Sequence, residues 1–238
     1  MIKHILISIF CFLCIQSFGQ NENISGTAYY KKSLVLKTDK SEIKPFDAAL
    51  IDAYDKVQFV LNFYNNESAF QFSEESNKGG NSLYKIATVL GGGKGIYYTN
   101  TTDSIYLQQR ESFGKNFIIE NTINKFKWEL LNETKIIDSY TCYKARALKK
   151  LYVGENEFTS RVIEAWYSEE LPVPHGPIGY SGLPGLILEL KEGRYLYTLQ
   201  QIFFDSSVKI SKPVEGEIIS DIAFETVAEK ANKNKKNK

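Results

Sequence analysis

Residues 57–72, VQFVLNFYNNESAFQF, decide how the chain folds. Two runs rich in β-forming residues, 57–64 and 69–72, flank a polar link, Asn65-Asn66-Glu67-Ser68. A period of two turns one face of each run toward a core and the other toward water, and a short polar link between such runs marks a hairpin. The pattern recurs in 125–130, KFKWEL, where Phe126, Trp128 and Leu130 share one face while Lys125, Lys127 and Glu129 share the other. It recurs again in 194–202, RYLYTLQQI. Further strands are expected over 27–36, 96–99, 104–109, 116–121, 135–148, 160–168 and 186–190. Helix signals are few: 45–54 has a proline in its first turn and apolar residues at helical spacing (Phe46, Ala49, Leu50, Ala53, Tyr54), and 221–229 is a second, short candidate. Strands that follow one another with few helices between them predict a mainly β protein. The expected architecture is an antiparallel meander forming a curved sheet or partly closed barrel, with one or two short helices over it.

The chain begins MIKHILISIFCFLCIQSFGQ, with Lys3 ahead of an apolar run from Ile5 to Ile15 and then small residues, Ser17 and Gly19. That is the pattern of a secretory leader, too short for a permanent span, and it predicts cleavage after Gly19. Cys11 follows Phe10 and Cys14 follows Leu13, which does not suit a lipoprotein signal. The expected organisation is a signal peptide over 1–19, a single β-rich domain over 20–229 and a basic disordered tail over 230–238. The expected location is the periplasm or the outer membrane, or outside the cell, with no transmembrane span after the leader is removed.

Without its leader the chain holds 28 basic and 28 acidic residues, and five of the lysines lie in 230–238. The body therefore carries a net charge of −5, which argues against nucleic acid as a partner. Only Cys142 of the three cysteines lies outside the leader, so no intramolecular disulfide can form and the fold must rest on packing. The same residue and the one remaining histidine, His175, are the only material for a Cys–His pair. Cys142 sits in an alternating stretch, SYTCYKARA, where a cysteine commonly serves as a small buried hydrophobe. One histidine and one cysteine cannot build a nitrogen–sulfur metal site, and no cofactor is implied. Gly91-Gly92-Gly93-Lys94-Gly95 lacks the Lys-[Ser/Thr] ending of a phosphate loop and reads as a flexible link. Asp103-Ser104-Ile105 resembles a short O-glycosylation acceptor, with Ser104 the residue to test.

The segment 174–190, PHGPIGYSGLPGLILEL, has glycine at every third position from Gly176 to Gly185 and then turns into a hydrophobic strand. The repeat is far too short for a collagen helix. It predicts a rigid corner between a strand ending near Leu171 and one beginning at Leu186, with Gly182 and Gly185 supplying backbone freedom around Pro184.

Gly182-Leu183-Pro184-Gly185-Leu186-Ile187 spells GLPGLI. Together with Trp128–Ala145 (Lys135, Ile136, Tyr140, Cys142, Lys144 and Ala145), Glu164-Ala165-Trp166-Tyr167, Leu171-Pro172 and Gly176-Pro177, it makes residues 126–200 resemble the GLPGLI family of exported bacterial proteins. The chain departs from that pattern at Asp138-Ser139, which suggests a different turn, and over 149–160, which reads as a longer hairpin tip. The resemblance implies an exported chain and carries over no activity, cofactor or catalytic residue.

With no credible catalytic constellation, the expected function is noncatalytic binding of an apolar ligand or of a protein partner such as an outer-membrane transporter. Trp166, His175, Tyr180 and Leu183 are the candidate contact residues. Their alternative role is packing, with Trp166 in a core strand and Leu183 plugging the sheet end. A carboxylate-based hydrolase using Glu164 or Glu169 is a second expectation, and a purely structural envelope component a third.

Overall fold

In the hairpin at 57–72, Phe59, Leu61 and Phe63 are buried while Gln58, Val60 and Asn62 are half-exposed. Phe59 pairs with Phe72 and Leu61 with Phe70 across the strands, and the turn closes on Asn65-Asn66. Phe59 and Phe70 stack at 5.4 Å with their planes 7° apart, and Tyr30 and Tyr197 meet this pair edge-on. Each such side chain contributes roughly 1.5–3 kcal/mol by leaving water. This aromatic cluster anchors the core.

The computed structural model describes residues 23–35, 45–73, 86, 95–123, 126–155 and 157–236. The leader over 1–19 and most of the Gly91–Gly95 link lie outside them. The strands are β1 (Ser25–Leu34), β2 (Gln58–Tyr64), β3 (Glu67–Phe72), β4 (Ile96–Asn100), β5 (Ile105–Ser112), β6 (Lys115–Thr122), β7 (Glu129–Ile137), β8 (Tyr140–Gly154), β9 (Glu157–Ser168), β10 (Leu186–Glu192), β11 (Tyr195–Phe204) and β12 (Glu217–Ser220). Among the described residues, the helical elements of known extent are α1 (Pro45–Asp55) and α2 (Asp221–Lys236).

All twelve strands form one open sheet in the order β12-β6-β5-β4-β3-β2-β1-β11-β10-β9-β8-β7. The expected class holds: the protein is mainly β and largely antiparallel, and the sheet is not closed. Two meanders meet at the centre. One runs outward from β1 to β6; the chain then crosses to the far edge at β7 and returns through β8, β9 and β10 to β11, which pairs with β1. Among the described residues one pairing is parallel, β12 beside β6, and the sequence did not announce it.

Local differences from the sequence reading have local causes. The strand expected over 135–148 is a hairpin, β7 and β8, turning at Asp138 with φ 55°. KFKWEL does not form a strand as a unit: β7 starts at Glu129, and Leu130 is 59% exposed on this edge strand. Phe126 and Trp128 instead leave the sheet to cover the Gly/Pro segment. The Trp128 indole donates to the Ser181 carbonyl at 2.9 Å, and the Phe126 ring lies 4.4 Å from that of Tyr180. The stretch 149–160 is mostly strand, with β8 and β9 paired almost to Gly154 and Glu157. The last helix, expected to stop near Glu229, runs on to Lys236 through part of the expected tail, helped by a Lys233–Glu229 ion pair at 2.7 Å.

The Gly/Pro segment is a plug. His175, Tyr180, Ser181 and Leu183 are all buried, and a single 3-10 turn at Pro177–Gly179 packs against β3 and β4. The corner reading holds for Gly182, whose φ is 87°. Gly185 serves differently: its φ is not positive, and a Cβ there would overlap the Ser168 carbonyl. Space, not backbone freedom, requires glycine at that position.

Candidate functional site

The inward face of the sheet changes character toward one end of its strands. On β1, Ala28 and Tyr30 are followed on the same face by Lys32; on β8, Ala145 and Ala147 are followed by Lys149. On β9, reading backward, Ala165 and Ile163 give way to Arg161, and on β10, Leu188 and Leu190 give way to Glu192. β1 and, beyond β11, the adjacent strands β10, β9 and β8 thus exchange apolar for charged side chains at the same end. Lys149 and Arg161 are paired across β8 and β9, and Glu192 faces Ile163 across β9 and β10.

These residues form one side of a cleft of about 700 Å³. Its far side comes from β5, β6 and the start of α2, with Arg110, Glu120, Asp221 and Glu225. Rings line it too, including Tyr97, Tyr106, Phe126, Phe158, Tyr195 and Tyr197. Helix α2 meets the tip of β8 where the Tyr152 hydroxyl donates to Glu229 at 2.8 Å. Ile178, in the 3-10 turn, also lines the cleft and holds φ 48°, a strained conformation for a β-branched residue.

Glu192 organises the floor. It is 7% exposed, accepts from Lys149 at 2.6 Å and from the Tyr180 hydroxyl at 3.3 Å, and has Arg161 at 3.7 Å. Lys32, 3% exposed, stands with its ammonium 4.0 Å from the Tyr195 ring and 5.2 Å from that of Tyr197. Burial pulls its pKa down to about 8, with the Glu192 carboxylate acting in the opposite sense. Burial pushes the Tyr97 phenol up to about 12, so it remains an uncharged hydrogen-bonding group at neutral pH. On the α2 side, burial raises the Glu225 carboxyl; the Arg110 and Lys149 charges oppose that rise and the charge of Asp221 adds to it.

The four sequence candidates do not form a common surface. Trp166 is half-buried on the opposite face of β9, with the Lys135 and Lys144 ammonium groups 4.4 and 5.6 Å from its ring. His175 and Leu183 are buried in the plug. Tyr180 is buried as well, though its hydroxyl reaches Glu192 and its ring touches Phe126, both of the cleft. His175, Tyr180 and Leu183 are buried and do not line the cleft, so packing is the role their surroundings give them.

The remaining candidates lie elsewhere. Glu164 is ion-paired with Lys191 at 3.3 Å and Lys144 at 3.6 Å, Glu169 is exposed in a turn, and neither lines the cleft. Cys142 and His175 do not line it either, and burial sets them against nucleophilic work. The thiol is pushed up to about 11 and the imidazole down to about 4.

The signal that could have found the cleft was present in the strands. A lysine at the core position of YYKK and a glutamate at that of LILELKE break the apolar alternation. Charged residues in inward register are costly unless they are paired or serve a site.

Residues 150–189 match a family model described as "Protein of unknown function (Porph_ging)". The match spans the end of β8, β9, the Gly/Pro segment and the first residues of β10. It supports likeness to an uncharacterised family, and the GLPGLI name does not come with it. No curated protein matches the chain. Among solved structures, the fold is similar to that of PNGF-II in its C2 crystal form, at 13% identity and a TM-score of 0.53, over 85% of this chain and 32% of that one. The P21 form of PNGF-II gives a TM-score of 0.50 at the same identity and coverage. The chain thus spans about a third of that protein's length, and the likeness is one of fold.

Proposed function

We propose that the chain is an exported binding protein that holds a small molecule in this cleft without transforming it. The observation that carries the reading is the cleft itself, whose volume falls within the range typical of small-molecule sites. Its lining combines ring faces with a few convergent charges, so the ligand is amphipathic rather than the purely apolar one expected from sequence. The concavity favours a small molecule over an envelope-protein partner, which would dock on a flatter surface. Export, to the periplasm or the outer membrane, rests on the leader-like residues 1–19.

The test is native mass spectrometry of the protein expressed with its leader, with a thermal-shift screen of small molecules beside it. The wild type is expected to carry a non-covalent adduct or to be stabilised by a compound, and Gln108→Trp, which fills the cleft, to lose both. A wild type with neither adduct nor stabilising compound overturns the reading.

A carboxylate-based hydrolase is the second reading, favoured by one observation: Glu225, with its raised carboxyl, shares the cleft with Asp221 and Glu120. It requires the bound compound to be consumed on incubation, and Glu225→Gln to leave it intact.

A further inference from the structure

The charges of the cleft are sorted by wall. Among the described residues, one wall holds Lys32 from β1, Lys149 and Lys150 from β8 and Arg161 from β9, with Glu192 as its single carboxylate. The other holds, among the same described residues, Glu120 from β6 and Asp221 and Glu225 from α2, with Arg110 as its single cation. In formal charge, the first wall is positive by three and the second negative by two. Counter-charges within each wall are engaged locally. Lys149 and Arg161 both turn to Glu192, at 2.6 and 3.7 Å. Arg110 donates to the Ser112 hydroxyl at 3.2 Å and lays its guanidinium 5.1 Å from the Phe224 ring. Ring faces line the cleft as well, with Tyr195 and Tyr197 from β11 beside Lys32 on the first wall and Tyr97 from β4.

We infer that the ligand is a zwitterion with an apolar body: an anionic group seated on the Lys32–Lys149–Arg161 wall, a cationic group on the Asp221–Glu225 wall, and apolar substance against the rings that line the cleft. The inference rests on the proposed reading of the cleft as a ligand site. The physical reason is complementarity of field. Opposed charges across a cleft with low-dielectric walls favour a ligand dipole aligned with them and disfavour a ligand of one sign, which gains at one wall and is repelled at the other. The ammonium of such a ligand meets two carboxylates on one helix turn, and its carboxylate meets a guanidinium able to bind it in bidentate fashion. The chemistry is that of a short apolar peptide with free ends or an amphiphilic amino acid.

Calorimetric titration with four probes tests this: the dipeptide Phe-Phe, its C-terminal amide, its N-acetyl derivative, and the form blocked at both ends. Free tryptophan, run beside them, separates amino acid from peptide as the source of the zwitterion. The wild type at pH 7.5 is expected to bind a free zwitterion at least ten-fold more tightly than the corresponding singly blocked compound, and the doubly blocked form more weakly still. Arg161→Gln should erase the preference for the free carboxylate alone, and Glu225→Gln the preference for the free amine alone, with melting curves of both variants confirming the fold. A doubly blocked peptide that binds as tightly as Phe-Phe overturns the zwitterion and leaves the cleft as a binding site. Failure of every zwitterionic probe in a protein that carries an adduct by native mass spectrometry does the same. Failure of every probe together with the absence of any adduct or stabilising compound overturns both readings.

Discussion

Tyr30 of β1 donates its hydroxyl to the main-chain carbonyl of Ile187 at 2.7 Å, entirely inside the protein. The bond ties the central strand of the sheet to the last residue of the Gly-Leu-Pro-Gly-Leu-Ile corner, 157 residues away. It explains how a tyrosine can be fully buried at no net loss, since a hydroxyl without a partner there would be costly. Tyr30→Phe leaves the packing in place and the Ile187 carbonyl unsatisfied on that side. The expected cost is about 1–3 kcal/mol, read as a lower denaturant midpoint at unchanged slope. An unchanged midpoint would show that the bond contributes nothing net.

The corner makes two separate demands on its glycines. At Gly185 a Cβ would overlap the backbone of Ser168, which cannot retreat because the neighbouring Leu186 and Ser168 are paired between β10 and β9. Gly185→Val should therefore cost more than about 4 kcal/mol and appear as loss of soluble protein. Gly182 has room around it and needs only its φ of 87°, so Gly182→Ala should fold with a loss of about 1–2 kcal/mol. Equal losses at the two positions would refute the distinction between space and conformation.

Much of the fold was legible because strand alternation is a local property. The hairpin at 57–72, the helix at 45–55 and the corner at 174–185 all follow from residues near one another in sequence. What was not legible depends on partners far away. Nothing in EIIS at 217–220 says that it will lie parallel to β6, and nothing in KFKWEL says that its aromatic residues will leave the sheet for Tyr180. The cleft escaped the sequence reading for a related reason. Trp166, His175, Tyr180 and Leu183 stood out as unusual residues in an unusual loop, yet that loop is unusual because it must fit inside a curved sheet. Lys32 and Glu192 do break the apolar alternation of their strands, but only the strands that pack around them make the two the floor of one cleft.

His175 gives the plug a dependence on pH. The Asn65 carbonyl, 3.1 Å from Nε2, can only accept, so Nε2 carries the proton and Nδ1 accepts from the Thr99 hydroxyl at 3.3 Å. Ser68 completes the chain by donating to Thr99 at 2.7 Å. Burial holds the imidazole neutral, with a pKa near 4 against 6.5 for the free side chain. The folded value is the lower one, so between these limits the unfolded chain binds a proton that the folded chain refuses. The stabilising contribution is present above pH 6.5 and is lost as the pH falls toward 4, by about 3 kcal/mol in all. Unfolding titrations across this range should show a shallower slope in His175→Gln than in the wild type. Parallel slopes would mean that His175 is protonated in the folded protein.

Glu192 and Lys32 are coupled across the floor of the cleft, and the coupling has a measurable sign. Burial among the Tyr54, Phe59, Tyr195 and Tyr197 rings leaves the ammonium of Lys32 poorly solvated, and the nearby carboxylate offsets part of that cost. Glu192→Gln keeps the size of the side chain and its ability to accept from the Tyr180 hydroxyl, while removing the charge. The charged form of Lys32 then loses its support, so its midpoint must fall below the present value of about 8. Titration of the lysine side-chain signals by NMR, with Lys32→Met to assign the resonance, reads this directly. A midpoint that stays in place or rises would mean that the rings, and not Glu192, hold the ammonium in its charged form.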